Sequence, residues 1–364
     1  MRTSWGTVAS VEGARAGLQR LRVEVDGAEA AALNYTSLAG ECRVGDRVLL
    51  NTTAVDLALG TGGSHLVVAR LGSEGAARGV SHEDTSGGHV MKLRYTPLQR
   101  DVLAVESQES PHHDLLARAD DVRGMPVVCS GLHSQLPLIA AAVKAVRPDA
   151  RVAWCMTDEA ALPLALSELV PACAAAGLVD LTVTCGQAFG GDLESVTLHS
   201  GLIAAHLVGA ADIAIVGIGP GVVGTGTVLG HGGIAQGEAI NAAATVGGRP
   251  VAALRVSFAD ARERHRGVSH HTLIALSRIA LAPAVVAVPR LPAALLDAIE
   301  SDLAGAGVWK RHVRADAGAG FALPDTRGVG CRSMGRTPED DPAFFASAAA
   351  AGTVAAGMLP EVSG

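Results

Sequence analysis

The chain has 364 residues and a formal net charge of −7, with 18 % charged, 3 % aromatic and 49 % hydrophobic residues. So apolar a chain is not disordered, and its charge excludes a nucleic-acid binder that relies on bulk positive potential. The length predicts two domains with ample material for one large core.

Residues 1–100 read as short strands with glycine turns. Strands are predicted at 18–25, 34–38, 44–50 and 65–71, and at 91–96 on a period-two alternation. This spacing predicts a small β-barrel or sandwich. Residues 70–88 are polar and glycine-containing and read as a loop. A charged connecting segment, 101–124, follows.

From residue 125 the pattern changes to alternating strand and helix. Continuous apolar runs predict strands at 126–130, 150–156, 181–185, 213–216, 250–256 and 284–288. Helices are predicted at 134–147, 161–177, 192–209, 232–247, 270–280 and 292–305. Strands apolar on both faces belong to a sheet covered on both sides. The fold class is therefore α/β: a doubly wound, mostly parallel Rossmann-like sheet spanning 125–364, behind the N-terminal β-domain. Strand order is not legible, and no fixed-period repeat is present.

Three apolar runs, 160–179, 202–223 and 343–359, approach the length of a membrane span. They contain charged residues, prolines or mostly Ala and Gly, and read as buried helices. Residues 1–13 lack the apolar core of a secretory signal. The six cysteines are dispersed with no Cys-x-x-Cys pair, so they are expected to be reduced thiols of a cytoplasmic protein. Cys185 is the best placed of them for nucleophilic chemistry, although buried cysteine commonly serves as a small hydrophobe. Lys92, Lys144 and Lys310 are the only lysines. The arginine bias reads first as composition, with single arginines weighed by context.

Polar residues gather after each predicted strand, where ligands bind in open α/β sheets. His133 and Ser134 follow the first strand, Asp158 and Glu159 the second, and Asp192 the third. Asp158, Asp192 and Ser134 are equally placed to cap the helices that follow them. After the fourth strand, Gly219-Pro220-Gly221-Val222-Val223-Gly224 fits Gly-x-Gly-x-x-Gly. The loop runs on through Thr225 and Thr227, so no helix starts at the third glycine, and no Lys completes a P-loop. Backbone N–H groups of Gly219, Gly221 and Gly224, with the two threonine hydroxyls, offer an anion cradle. A tight structural loop is the competing reading.

After the fifth strand the stretch 255–271 is basic. Arg262, Arg264 and Arg266 lead into Ser269-His270-His271. An anion clamp or a general base is the functional reading; a solvated basic loop is the plain one. If a helix begins at Ser269, that residue is its N-cap and the helix start is a second anion site. Adjacent His270 and His271 are expected to point to different faces, so only one would serve a given site. His133 with Asp158 or Asp192 reads as an orienting pair or as part of a metal site. No His-Glu-x-x-His or comparable spacing supports zinc, so no metal ligands are assigned. No Gly-x-Ser-x-Gly elbow is present.

The segments Leu50-Asn51-Thr52-Thr53, Leu132-His133-Ser134-Gln135-Leu136, Phe189-Gly190-Gly191-Asp192-Leu193 and Met334-Gly335-Arg336, with 91–99, 219–227 and 265–272, resemble a bacterial family known only as a domain of unknown function, number three-eight-six-six. The resemblance covers nearly the whole chain. It implies a cytoplasmic bacterial protein and brings no activity, cofactor or catalytic residues. The residues themselves point to an enzyme acting on a small anionic metabolite bearing phosphate or a nucleotide. His133, His270, Asp158 and Asp192 are its candidate catalytic groups. Gly219, Gly221, Gly224, Thr225, Thr227, Arg262 and Arg266 are its candidate binding groups. No particular cofactor is indicated. The alternative is a non-catalytic ligand sensor or scaffold, with the β-domain available for homo-oligomer formation. Nucleic acid and membrane are not expected partners.

Overall fold

The computed structural model describes residues 1–58, 63–71 and 87–360. Most of the loop predicted at 70–88 lies outside the described residues. The chain divides into two units, Met1–Leu103 and Ala104–Gly364. The connecting segment joins the second unit, since Val105, Leu116 and Val122 are in its core.

In the first unit, β1 (Thr3–Arg15), β2 (Leu18–Val25), β3 (Ala28–Tyr35), β4 (Arg47–Asn51) and β5 (His65–Leu71) close a barrel in the order β1-β2-β3-β5-β4. The long β1 pairs with both β2 and β4, and register shifts at Val8/Ser10 and Val11/Gly13 allow it to bend between them. Only β3 and β5 pair in parallel. This is a five-stranded Greek-key barrel of OB type, and the likeness of fold alone carries no function. Val8, Leu21, Val23, Val48 and Leu50 fill its interior. The strand predicted at 91–96 is shorter than expected. β6 (Val90–Lys92) pairs with β7 (Arg100–Val102), and the chain then turns at Leu93 and Tyr95, both with positive φ.

The second unit is built on β8 (Pro126–Cys129), β9 (Val152–Thr157), β10 (Leu181–Thr184), β11 (Leu193–Glu194), β12 (Ile213–Ile218), β13 (Arg249–Ala253), β16 (Val285–Pro289) and β17 (Val313–Ala317). All eight are parallel, in the order β11-β10-β9-β12-β8-β13-β16-β17. A two-stranded ribbon of β14 (Val256–Ser257) and β15 (Gly267–Val268) follows β13. Alternate residues feed opposite layers, as the pleat requires. Val127, Cys129, Ala153 and Cys155 enter one core, while Val128, Val152, Trp154 and Met156 enter the other. The sheet is thus doubly wound and Rossmann-like.

Apolar faces of helices cover both sides. Leu198–Leu207 and Ala235–Thr245 lie in one layer, Leu136–Val146 and Pro342–Gly357 in the other. The alanine-rich run near the C-terminus is therefore a buried helix. Its Gly352 sits so close to Leu136–Val146 that an added Cβ would fall 2.1 Å from the Ile139 carbonyl oxygen. Among the described residues, no helix is long and apolar enough to cross a membrane.

Strand order fixes the site. From β8 the chain builds outward to β11, returns to insert β12 beside β8, then places β13 on the other flank of β8. The loops after β12 and β13 therefore leave the carboxyl edge on either side of the central strand. That reversal is where open α/β sheets hold ligands.

Candidate functional site

The loop after β12 folds back on itself as a hairpin, with Gly224 bridged to His231. Thr225 Oγ1 lies 2.9 Å from Thr227 Oγ1 and donates to the Gly230 carbonyl at 2.8 Å, and Thr227 Oγ1 accepts from the Gly230 N–H. Both threonine hydroxyls thus close the loop. The hairpin delivers His231 to the sheet edge. The ribbon after β13 delivers His265, and the helix His270–Ile274 delivers His270 and His271 at its first turn. Ser269 caps that helix through its hydroxyl, which accepts from the His271 N–H. With five residues, it is too short to act as an anion site in its own right.

The four imidazoles form one cluster. His231 and His271 stack with centroids 3.9 Å apart and planes 3° apart; His270 meets His271 edge-on at 4.4 Å. His265 packs 4.9 Å from His271 and 5.1 Å from His270. The expectation that His270 and His271 point to different faces is thus corrected. Both occupy the first turn of a helix, where Cα–Cβ bonds tilt toward the N-terminal end, so both rings reach a point beyond it. A ring nitrogen from each of His231, His270 and His271 lies within 4.8 Å of the other two.

Electrostatics keep these rings neutral. Burial lowers the pKa of all four, taking His265 down to about 3; the charge of Arg255 adds to the effect at His265, and at His270 and His271 protonation is further opposed by their neighbour His231, since two adjacent rings resist charging together. His231 Nε2 lies 3.1 Å from the Val228 carbonyl oxygen. A carbonyl only accepts, so Nε2 carries the proton and Nδ1 presents a lone pair. Among the described residues, His231 Nδ1, His270 Nε2 and His271 Nδ1 have no hydrogen-bond partner.

Arg255, between β13 and β14, is 4 % exposed, and no hydrogen bond or ion pair holds its guanidinium among the described residues. Burial, with Arg262 as the next cause, pushes its pKa down to about 10. Its carboxylate neighbours are taken. Asp260 receives Arg262 in a two-pronged contact of 3.0 and 2.9 Å and also Arg336 at 3.2 Å, while Asp341 receives Arg336 and Ser257. Two carboxylates thus balance Arg262 and Arg336, leaving Arg255 and the exposed Arg264 as surplus positive charge.

The other expected residues fall as follows. His133 is buried, with Nδ1 3.0 Å from the Ile218 carbonyl oxygen and Nε2 2.7 Å from Ser167 Oγ, and burial takes its pKa down to about 4. Both its nitrogens are engaged in holding loops. Asp192 accepts from the backbone and hydroxyl of Thr182, and caps no helix. Asp158 accepts from the Gln187 N–H and lines a separate cavity of about 290 Å³ with Glu159 and Glu238. An orienting pair of His133 with either aspartate is therefore not formed. Gly219 is required by the Ala161 carbonyl, which an added Cβ would approach to 2.3 Å. Gly221 has φ +94°, and Gly224 lies against His271. Arg262 is committed to Asp260, Arg266 is exposed, and Cys185 is buried.

The family model described as a protein of unknown function (DUF3866) matches residues 31–352. The chain belongs to this family. No curated protein and no solved structure matches it.

Sequence reasoning missed two central residues of this DUF3866 protein, His231 and Arg255. Their signals are modest. His231 stands in Gly230-His231-Gly232-Gly233, a reactive side chain among glycines at the carboxyl edge. Arg255 ends the apolar run of β13, where an arginine is otherwise out of place.

Proposed function

We propose that this protein is an enzyme that binds a small anionic metabolite, such as a phosphate ester, at Arg255 and acts on it with the neighbouring histidines. The observation that carries the reading is Arg255, only 4 % exposed as a residue, whose guanidinium has no hydrogen bond or ion pair among the described residues and still reaches the surface. A buried charge without a counter-ion is costly, and an anionic ligand supplies one with the planar, two-pronged geometry that guanidinium favours. Arg264 and Arg266 lie exposed on the same stretch and add positive potential at the entrance. Backbone around Gly221 and Gly224 offers the remaining contacts. The unpartnered nitrogens of His231, His270 and His271 supply the chemistry, because a neutral imidazole accepts a proton or a cation.

The test is calorimetric titration of the purified protein with inorganic phosphate, pyrophosphate and adenine nucleotides, repeated on Arg255→Met. Wild type should bind at least one of these, and the variant should lose at least tenfold in affinity. Equal binding by both proteins would remove Arg255 from the site. Mass spectrometry of ligand carried through purification, before and after incubation, then separates turnover from sensing. A ligand recovered unchanged under all conditions would leave a sensor.

A further inference from the structure

We propose that His231, His270 and His271 bind a single divalent transition-metal ion of the zinc class. The inference shares its site with the anion reading but stands without it, because the ligand atoms are all imidazole nitrogens.

Three observations converge. The unpartnered nitrogens belong to rings that are mostly buried: His231 and His271 are each 6 % exposed. Buried polar atoms are nearly always partnered, and here three rings that each carry an unpartnered nitrogen meet in one place. The tautomer of His231 is also set for coordination. Its Nε2–H donates to the Val228 carbonyl, leaving Nδ1 as the lone pair, and metal-bound histidines are typically held by such a second hydrogen bond. Finally, the backbone makes room for convergence. A Cβ on Gly233 would fall 2.8 Å from His271 Cβ and 3.0 Å from His231 Nδ1, so only glycine lets the two rings stack.

The donor set selects the ion. Three imidazoles with neither carboxylate nor thiolate suit zinc, cobalt or nickel, whereas magnesium and calcium demand oxygen. Tetrahedral bonds of about 2.0–2.1 Å place ligand nitrogens roughly 3.4 Å apart. The present separations reach at most 4.8 Å, so binding draws the nitrogens together and turns the His231 and His271 rings out of their parallel stack, because an imidazole lone pair lies in its ring plane. Three protein ligands leave a fourth position open, as in catalytic zinc sites. The neutral donor set does not offset the charge of the ion, and Arg255 adds more. An anion in the site relieves both, so anion and metal should each strengthen binding of the other.

The experiment uses the full chain, stripped with chelator and titrated with Zn²⁺ alone in phosphate-free buffer. The expected result is one zinc per chain by elemental analysis. X-ray absorption should show an imidazole nitrogen shell at about 2.0–2.1 Å. His231→Gln and His270→Gln should each weaken binding at least tenfold, since loss of even a supporting partner costs roughly 10- to 100-fold. His206→Gln, on the helix Leu198–Leu207, should not change it. Less than half an equivalent of zinc, a sulfur shell near ~2.3 Å, or unchanged affinity in both variants would overturn the proposal. If a variant misfolds, the absorption spectrum of wild type decides alone. Loss of zinc binding with phosphate binding intact would remove the metal and leave the anion site standing.

Discussion

Replacing Arg255 with methionine should make the free protein more stable while abolishing anion binding. The residue is 4 % exposed, and its guanidinium has no hydrogen-bond or ion-pair partner among the described residues. Its pKa falls from the ordinary 12.5 to about 10, first through burial, then through repulsion from Arg262, Arg336 and Arg264 that Asp260 only partly offsets. At about 1.4 kcal/mol per tenfold change, the charged form is disfavoured by about 3 kcal/mol relative to water. Methionine keeps an unbranched, adaptable chain in the same space and removes the charge. Exchange of buried ionic groups for apolar ones commonly stabilises by roughly 1–4 kcal/mol. A gain of about 1–3 kcal/mol is expected, which raises the melting temperature of a unit this size by several degrees at roughly 2–4 °C per kcal/mol. Differential scanning calorimetry of both proteins measures it. Added inorganic phosphate, at saturating concentration, should raise the transition of wild type and leave that of the variant in place. A variant destabilised by more than about 1 kcal/mol would show that Arg255 is a paired structural residue, and the reasoning would fail.

His133 gives a pH dependence of known sign. Its pKa is about 4 in the fold and about 6.5 when unfolded, so the unfolded state binds its proton first. Stability is complete above about pH 6.5 and falls as pH drops toward 4, by up to about 3 kcal/mol from this group. Urea titrations at pH 7 and 4.5 should show a smaller fall for His133→Gln than for wild type; equal falls would mean that His133 is not held neutral. Gly352→Ala should lower the melting temperature. The new methyl meets the Ile139 carbonyl at 2.1 Å, and overpacking of roughly 1–3 kcal/mol outweighs the gain in helix propensity of about 1 kcal/mol; an unchanged transition would show that the helices slide apart freely. Cysteine labelling of native protein at pH 8 should be slow and begin at Cys331, the half-buried thiol, whose pKa is pushed up to about 11 from the ordinary 9. Its thiolate is then about 100-fold scarcer than that of an ordinary thiol, and mass-mapped labelling at ordinary rates would contradict that burial.

What was legible in the sequence is the part fixed by local apolar pattern. Strands β8, β9, β10, β12, β13 and β16 stand within three residues of the predicted bounds because they are buried on both faces and read as unbroken apolar runs. β1 was not predicted, since most of its residues are exposed or half-buried and only Gly6 and Val8 are fully buried. β17 went unseen for a related reason: Val313-Arg314-Ala315-Asp316-Ala317 is an edge strand with charged residues. At 91–96 the alternation is real, yet the left-handed backbone at Leu93 and Tyr95 ends the strand. The site was half legible. The glycine loop and the histidine stretch each stand out in the sequence, but their meeting depends on strand order, to which apolar pattern is blind. Pairing His133 with an aspartate failed because its two nitrogens are satisfied by a carbonyl and a serine.

The glycine motif shows how the same letters arise from a different cause. In a dinucleotide fold the three glycines admit a pyrophosphate and start a helix. Here each answers to the protein's own backbone or neighbours. Gly219 makes way for the Ala161 carbonyl, Gly221 takes a φ of +94° that side chains rarely adopt, and an added Cβ on Gly224 would lie 3.4 Å from His271 Cε1. The helix begins only beyond Gly232 and Gly233, after His231 has been set in place. The loop is therefore a device for bringing a histidine from the edge of β12 against two from beyond β13, across the end of β8. Of the loop's glycines it is Gly233, just past the motif, that the close rings require, because an added Cβ there would fall 2.8 Å from His271 Cβ and 3.0 Å from His231 Nδ1.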